Sequence, residues 1–171
     1  MDVLVVVDMQ NDFINGSLGT KEAENIVSKV KNTIETFEGK VIFTRDTHED
    51  NYLSTQEGKN LPVPHCIKGS YGWEICDDLR TNGAKIIDKH SFGSKELATY
   101  LKELSEKEPI ETIKLIGLCT DICVISNALI LKAYLPEVRI IVDGNYCAGV
   151  TVDSHNNALN AMEVCQIEVV R

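Results

Sequence analysis

Two cysteines, Cys119 and Cys123, stand four residues apart where an apolar, strand-like pattern changes to a helical one, within LIGLCTDICVISNALILKAYL (115–135). Thr120 or Asp121 can cap the following helix, which places Cys123 in its first turn. Free N–H groups and the helix dipole favour thiolate there, so we expect a lowered pKa for Cys123. A thiolate is a strong nucleophile. The alternative is a small buried residue that packs the helix against a sheet.

A carboxylate and an ammonium group end two other predicted strands. Asp8 ends VLVVVD (3–8), and Lys89 ends AKIIDK (84–89). The carboxyl ends of parallel strands form the ligand-binding edge of an open sheet, so both side chains can meet Cys123 there. Asp8 would take the thiol proton and later pass it to a leaving group, while Lys89 would hold Asp8 ionised. The alternatives are a solvated strand end and a surface lysine.

Acids and histidines also gather after the second predicted strand. Asp46 and His48 are two residues apart and point the same way in extended chain. Glu57 and His65 follow within a long segment, 47–79, that lacks clear periodicity. Loops of this length in a compact domain are usually functional or disordered. These nitrogen and oxygen donors suit zinc, manganese or iron, and the alternative is a set of solvated loop residues.

Hydrophobic periodicity predicts the elements that must position these residues. Strands are predicted at 3–8, 40–46, 84–89, 112–118, 138–143 and 166–170, and helices at 21–37, 94–107, 120–135 and 152–164. Strands that alternate with helices indicate βαβ units. We therefore predict an α/β fold of Rossmann-like, three-layer α-β-α type, with a six-stranded, mainly parallel sheet in the order 3-2-1-4-5-6. The length predicts a single domain, 1–171.

Composition narrows the class of partner. The formal net charge is -9, which argues against nucleic acid or an anionic membrane and favours a small-molecule substrate. The N-terminus has no basic region typical of a signal peptide, and no apolar stretch approaches the roughly 20 residues of a membrane span. We therefore expect a cytoplasmic protein whose six cysteines are thiols.

Five short motifs occur in order along almost the whole chain, namely VVDMQNDFINGSLG, RDTH, PHCIKGSYG, KHSFGS and GLCTDICV. Together they resemble the isochorismatase-like cysteine hydrolases, and among them the nicotinamidases. The resemblance implies a catalytic triad of Asp8, Lys89 and Cys123. It also implies a cis peptide bond before Cys119 and an oxyanion hole formed by the backbone N–H groups of Cys119 and Cys123.

The same resemblance implies a divalent metal ion bound by Asp46, His48 and His65, with Glu57 as a less regular fourth ligand. Zinc is the expected ion, and manganese or iron are alternatives. Isochorismatases themselves lack this ligand set, so its presence favours the nicotinamidase branch. The ion would hold the pyridine nitrogen of the substrate and place its carboxamide over Cys123.

Phe13 resembles the aromatic wall of a pocket for a flat ring, and the alternative is a core phenylalanine. Nicotinamidases often carry a tryptophan shortly before the PHC motif, whereas this chain has LPVP at 61–64 and its single tryptophan at Trp73. This difference indicates a pocket with another lining. The two remaining histidines, His90 and His155, are interpreted as structural.

These inferences predict an amidohydrolase that converts nicotinamide and water to nicotinate and ammonia through a cysteine thioester. One alternative is another hydrolase of the same fold that acts on a different amide or a ureido compound. A further alternative is a non-catalytic α/β binding domain, although the phosphate-binding motifs GxGxxG and GxxxxGK[ST] are absent. The resemblance also implies a homo-oligomer, either a dimer or a tetramer.

Overall fold

A computed structural model describes residues 1–171, and its centre is a six-stranded sheet. The strands are β1 (Asp2–Val7), β2 (Lys40–Asp46), β3 (Lys85–Lys89), β4 (Thr112–Leu118), β5 (Arg139–Ala148) and β6 (Glu168–Val170). Every neighbouring pair is parallel, and the order is β3-β2-β1-β4-β5-β6. This confirms the predicted sheet and places the switch of strand order between β1 and β4.

Helices cover both faces of the sheet. They are α1 (Asn11–Ile14), α2 (Lys21–Thr36), α3 (Gln56–Asn60), α4 (Lys95–Lys107), α5 (Ile125–Tyr134) and α6 (Val152–Val164). One core packs α4, α5 and α6 against Val3, Val5 and Val7 of β1, and the other packs α1 and α2 against Leu4 and Val6. The continuous apolar run of β1 is therefore buried on both faces, as a central parallel strand requires. None of the helices has the length and apolar character of a bilayer-spanning segment.

Two helices begin at side-chain caps, and the start of a third differs from the prediction. Thr20 caps α2 by accepting from the Ala23 N–H, and Ser94 caps α4 by accepting from the Leu97 N–H at 3.0 Å. The predicted continuous helix at 120–135 is wrong in its first turn. Thr120–Val124 forms a π-helical turn, and the regular α-helix begins only at Ile125. Wide turns of this kind are often found at functional sites.

The ends of β1 and β4 approach closely because of one glycine. Gly117 has φ +117, and a Cβ atom there would lie 2.2 Å from the Val7 carbonyl oxygen, so no larger residue fits. Asp8 follows β1 with φ 46, a left-handed conformation that is uncommon outside glycine. The peptide bond between Leu118 and Cys119 is cis. Asp8 and the turn that carries the cysteines thus lie on the same edge of the sheet.

The segment 47–79 is compact although it holds little regular structure. It contains α3 and two single 3₁₀ turns, at Tyr52–Ser54 and Tyr71–Trp73. One isolated bridge, between Gln10 and Ile75, ties it to the rest of the molecule, and a second, between His48 and Ile67, joins two parts of the segment itself. This loop therefore packs over the carboxyl ends of β1 and β2.

Candidate active site

Three side chains from the ends of β1, β3 and β4 meet at the switch point. Lys89 Nζ lies 2.7 Å from Asp8 Oδ2 and 3.4 Å from Cys123 Sγ. Asp8 is fully buried, and Lys89 and Cys123 are 3% and 4% exposed. Asp8 Oδ2 is ion-paired with the Lys89 ammonium and forms no further hydrogen bond. Because Lys89 contacts both Asp8 and Cys123, this buried carboxylate is well placed to accept the thiol proton.

Burial sets the protonation of these groups. It raises the pKa of Asp8, an effect that the Lys89 charge opposes and the Asp46 charge reinforces. Burial acts to lower the pKa of Lys89, but the charges of Asp8, Cys123 and Asp46 outweigh it, and the pKa is raised. Lys89 is therefore an ammonium group. Asp8 is a stronger base than an ordinary carboxylate.

The expected low pKa of Cys123 is wrong. Burial raises this pKa well above its usual value, the Lys89 charge opposes the rise, and the Asp8 charge adds to it. A helix N-terminus shifts a pKa only modestly when the sulfur is dry and faces a carboxylate. Cys123 is therefore a thiol at rest, and a thiolate there would have to form by proton transfer to a neighbour.

Two further polar side chains hold the acidic groups and were missed by the sequence reasoning. Thr44 Oγ1 donates to Asp8 Oδ1 at 2.7 Å. Gln10 Nε2 donates to the Asp46 carbonyl at 2.8 Å, and Gln10 Oε1 accepts from the Asp46 N–H at 2.7 Å. Both residues are completely buried. The available signal was a polar residue inside or next to a strand that was otherwise predicted to be dry.

A second group of side chains lies beside the first. His48 Nε2 is 3.0 Å from Asp46 Oδ2 and 3.5 Å from Glu57 Oε1. His65 Nε2 is 3.7 Å from Asp46 Oδ2 and 3.6 Å from Glu57 Oε1. One donor atom from each of the four residues lies within 4.8 Å of the other three. The structure thus brings together all four side chains that the sequence had suggested as metal ligands.

The chemistry of this group fits a divalent cation. His65 Nδ1 donates to the Val63 carbonyl at 2.8 Å, which leaves Nε2 as the nitrogen with a free lone pair. Asp46 serves both groups, because Oδ1 accepts from Lys89 at 3.1 Å and Oδ2 contacts His48. Burial acts to raise the pKa of Asp46, but hydrogen bonding to His48 and the Lys89 charge lower it, so Asp46 is a carboxylate. Two imidazoles and two carboxylates form a donor set typical of zinc, manganese or iron.

Cys123 of the first group and Asp46, Glu57 and His65 of the second line a cavity of about 490 Å³. Phe13 lines it and lies 5.5 Å from His65 between ring centroids, in agreement with a wall position. Trp73 is not part of the lining, because its Nε1–H donates to Thr47 Oγ1 at 2.9 Å and its ring lies under Arg45. The lining also includes residues that sequence reasoning did not place there, among them His90 and Phe92.

Comparison with known proteins identifies the family. A sequence profile described as the isochorismatase domain matches residues 2–171. The chain belongs to the isochorismatase family. It is 25% identical over 188 residues to a nicotinamidase of Saccharomyces cerevisiae, covering 84% of this chain and 87% of that protein.

Solved structures show the same fold. The pyrazinamidase of Pyrococcus horikoshii in complex with zinc has a TM-score of 0.85 and 28% identity, covering 99% of this chain and 98% of that one. The N-carbamoylsarcosine amidase of Thermoplasma acidophilum has a TM-score of 0.79 and 31% identity, covering 99% and 95%. The family relationship thus extends over the whole chain and includes both the strand ends and the loop that carries the histidines.

Proposed function

We propose that this chain, as one hydrolase domain over residues 1–171, converts nicotinamide and water to nicotinate and ammonia through a thioester on Cys123. The family and its relatives make the chain a hydrolase that acts on amides. Nicotinamide is supported by one observation above all: Cys123, which Lys89 Nζ contacts at 3.4 Å, lines the same cavity as Asp46, Glu57 and His65 of the four-residue metal-ligand group. Such an activity belongs to NAD metabolism.

In the first half-reaction Asp8 Oδ2 takes the thiol proton while Cys123 Sγ attacks the amide carbon. The Lys89 ammonium, 3.4 Å from the sulfur, stabilises the developing thiolate. The backbone N–H groups of Cys119 and Cys123 are proposed to stabilise the tetrahedral oxyanion. Asp8 then protonates the nitrogen and the C–N bond breaks. Ammonia departs, and a nicotinoyl thioester remains on Cys123.

In the second half-reaction water cleaves the thioester. Asp8, again a carboxylate, removes a proton from the attacking water. The tetrahedral intermediate collapses, the C–S bond breaks, and the sulfur regains the proton from Asp8. The carboxylic acid that forms loses its remaining proton to solvent and is released as nicotinate. The raised pKa of Asp8 suits both directions of transfer, because a carboxyl group that titrates nearer neutrality both accepts and returns a proton more readily.

A divalent ion would be held by Asp46, His48 and His65, with Glu57 completing the set. When bound, the ion supplies a Lewis-acidic position for the ring nitrogen and so contributes orientation of the substrate. Zinc is the proposed ion, supported by the zinc complex of the Pyrococcus horikoshii relative. The apolar wall at Phe13 is proposed to contact the face of the ring.

The test is an ammonia-release assay with nicotinamide on the metal-loaded wild type and on Cys123→Ala. We expect release by the wild type and a loss of roughly a thousandfold or more in kcat for the variant. Cys165→Ala is the matched control, because Cys165 is an exposed thiol outside the cavity, and it should retain full activity. Release that survives Cys123→Ala would exclude the proposed mechanism.

A ureido compound is the second candidate substrate. It is favoured by the 31% identity to an N-carbamoylsarcosine amidase and by the position of Trp73 outside the cavity. Both substrates use the same thiol, so Cys123→Ala does not separate them. Parallel assays with nicotinamide and N-carbamoylsarcosine do, and a higher kcat/KM for N-carbamoylsarcosine would replace nicotinamide in the proposal.

A further inference from the structure

One buried amide connects the nucleophile to a wall of the cavity. Asn127 lies on α5, four residues after Cys123, and is 1% exposed. Its Nδ2 donates to the Cys123 carbonyl at 2.8 Å and to the Phe92 carbonyl at 3.2 Å. Its Oδ1 accepts from the Ser94 N–H at 2.9 Å. Both N–H donors and the carbonyl oxygen are therefore used, and they reach two separate segments.

The second of these segments, residues 90–94, joins β3 to α4 and has no regular structure of its own. At its start, the Ser91 carbonyl accepts from Lys89 Nζ at 3.2 Å. Gly93 lies directly against α5, where a Cβ atom would be 2.4 Å from Ile130 Cδ1. Asn127 is thus the polar link that fixes this segment to the helix of the nucleophile.

Phe92 is the apolar side chain that this segment presents. It lines the cavity together with Cys123 and is 45% exposed. An exposed aromatic ring beside a reactive sulfur is suited to contact a flat acyl group. Its distance from the sulfur depends on the Phe92 and Ser94 main chain, which Asn127 holds.

We propose that Asn127 is a positioning residue that sets the Phe92 wall relative to the Cys123 sulfur and so selects acyl groups with a flat ring. This inference rests on the proposed function only for the identity of the ring. Asparagine has a lower helix propensity than alanine or leucine, so its place inside α5 is explained by its three hydrogen bonds rather than by the helix.

Asn127→Thr separates the two halves of this link. A threonine hydroxyl inside a helix bonds to the carbonyl four residues earlier, so the contact with Cys123 is retained. The shorter side chain does not reach the Phe92 carbonyl or the Ser94 N–H. The variant therefore frees the segment that carries Phe92 and keeps the hydrogen bond to the Cys123 carbonyl. Phe92→Ala removes the ring itself. The double variant, Asn127→Thr with Phe92→Ala, tests whether Asn127 acts through Phe92.

The primary measurement needs no turnover. It is the ratio of two rate constants at Cys123, one for a dipyridyl disulfide, which carries an aromatic ring, and one for iodoacetamide, which does not. Peptide mass mapping assigns each reaction to Cys123 rather than to Cys165. We expect Phe92→Ala to lower this ratio about three- to tenfold, as for the loss of one aromatic contact. Asn127→Thr should lower it by a similar factor, and the double variant should fall no further.

Two results would overturn the proposal. One is a ratio in Asn127→Thr equal to that of the wild type, and the other is losses that multiply in the double variant. Asn157→Thr, an exposed asparagine-to-threonine change on α6, is the matched control and should leave the ratio unchanged. If Asn127→Thr does not fold, Asn127→Asp replaces it, since it keeps the acceptor for Ser94 and removes both N–H donors.

Turnover then separates this proposal from the proposed function. With nicotinamide, Asn127→Thr should raise KM about three- to tenfold and leave kcat within about twofold, because the wall binds the ring and does not take part in proton transfer. A wild type that releases no ammonia, combined with a lowered ratio in Asn127→Thr and Phe92→Ala, would reject the proposed function alone. Full nicotinamide hydrolysis with an unchanged ratio and KM would reject only the role of Asn127.

Discussion

Two sets of functional side chains lie side by side and are built differently. The strand-end set, Asp8, Lys89 and Cys123, comes from residues at or just after β1, β3 and β4. The loop set, His48, Glu57 and His65, which we propose as metal ligands, comes from the segment after β2. Asp46, the last residue of β2, contacts both sets through its two carboxylate oxygens.

The strand-end set is positioned by the sheet. Lys89 is the register partner of Asp46 across β2 and β3, and its charge is almost completely removed from water. The loop set is positioned by individual contacts. His65 is held through the Val63 carbonyl, and the next residue is held by Asp12 Oδ2, which accepts from the Cys66 N–H at 2.8 Å. The strand-end set should therefore govern both stability and chemistry, and the loop set should govern metal affinity alone.

The largest expected effect is that of Lys89→Met. The change leaves Asp8 and Asp46 buried without their cation, and breaking such a pair costs about 3–5 kcal/mol of unfolding free energy. Loss of the charge beside the sulfur should also lower kcat by roughly 100- to 10,000-fold. Urea unfolding measures the first quantity, and steady-state ammonia release measures the second.

Lys114→Met is the control for this prediction. Lys114 Nζ lies 3.1 Å from Asp143 Oδ2, but the lysine side chain is 29% exposed and far less desolvated than Lys89. Its loss leaves the buried Asp143 without this ammonium, but it should cost less than the Lys89 change because the Lys114 charge is partly solvated, and it should not change kcat. Equal losses of stability in the two variants would show that burial does not distinguish the strand-end set.

A smaller and more selective effect is expected for His65→Ala. Loss of a direct ligand should weaken metal binding by more than the roughly 10- to 100-fold that outer-shell changes cause. The rate of Cys123 alkylation by iodoacetamide in metal-free protein should stay within about twofold, because the sulfur does not depend on the loop for its position. Competition with a chromogenic chelator measures the affinity.

His90→Ala serves as the matched variant for that experiment. His90 lines the same cavity but lies outside the ligand group, and its Nδ1 donates to the Thr47 carbonyl at 3.0 Å. Its removal should leave metal affinity unchanged. If His65→Ala slows alkylation as strongly as it weakens metal binding, the two sets are not independent.

The strand-end set was largely predictable from sequence. Parallel strands that end in Asp8 and Lys89 must bring these residues to one edge, and a helix after β4 must bring Cys123 there. The protonation of Cys123 was not predictable in the same way. It depends on how completely the sulfur is buried and on which carboxylate it faces, and these are properties of packing rather than of position in a helix.

The loop set and the cavity lining were less predictable from the sequence. Spacing brings Asp46 and His48 together, but the approach of Glu57 and His65 depends on α3 and on side-chain contacts that periodicity does not describe. Sequence reasoning did not identify Asn127 because it occupies an ordinary helical position. Its importance arises from the Phe92 carbonyl and the Ser94 N–H, which are 35 and 33 residues away in the chain, on a segment without regular structure.

The smallest expected effect concerns the turn that carries the nucleophile. Thr120 Oγ1 lies 2.7 Å from His155 Nδ1, which links that turn to α6. Burial lowers the pKa of His155 below its ordinary 6.5, the Arg171 charge acts in the same direction, and the Asp121 charge opposes them. The folded protein therefore favours a neutral imidazole whose Nδ1 can accept from Thr120.

His155→Gln tests this link through pH. Between the folded pKa and 6.5 the unfolded chain binds more protons at His155, so its contribution to stability is complete above 6.5 and is lost as pH falls through the folded value. A glutamine carbonyl accepts from Thr120 at every pH. The urea midpoint of the wild type should thus lose its excess over that of His155→Gln on acidification. The effects of other titrating groups are common to both proteins and cancel in this difference. Because the link supports the strand-end set and not the loop set, metal affinity above pH 6.5 should be the same in both proteins. A difference in urea midpoint that stays constant across the pH range would show that His155 contributes packing only.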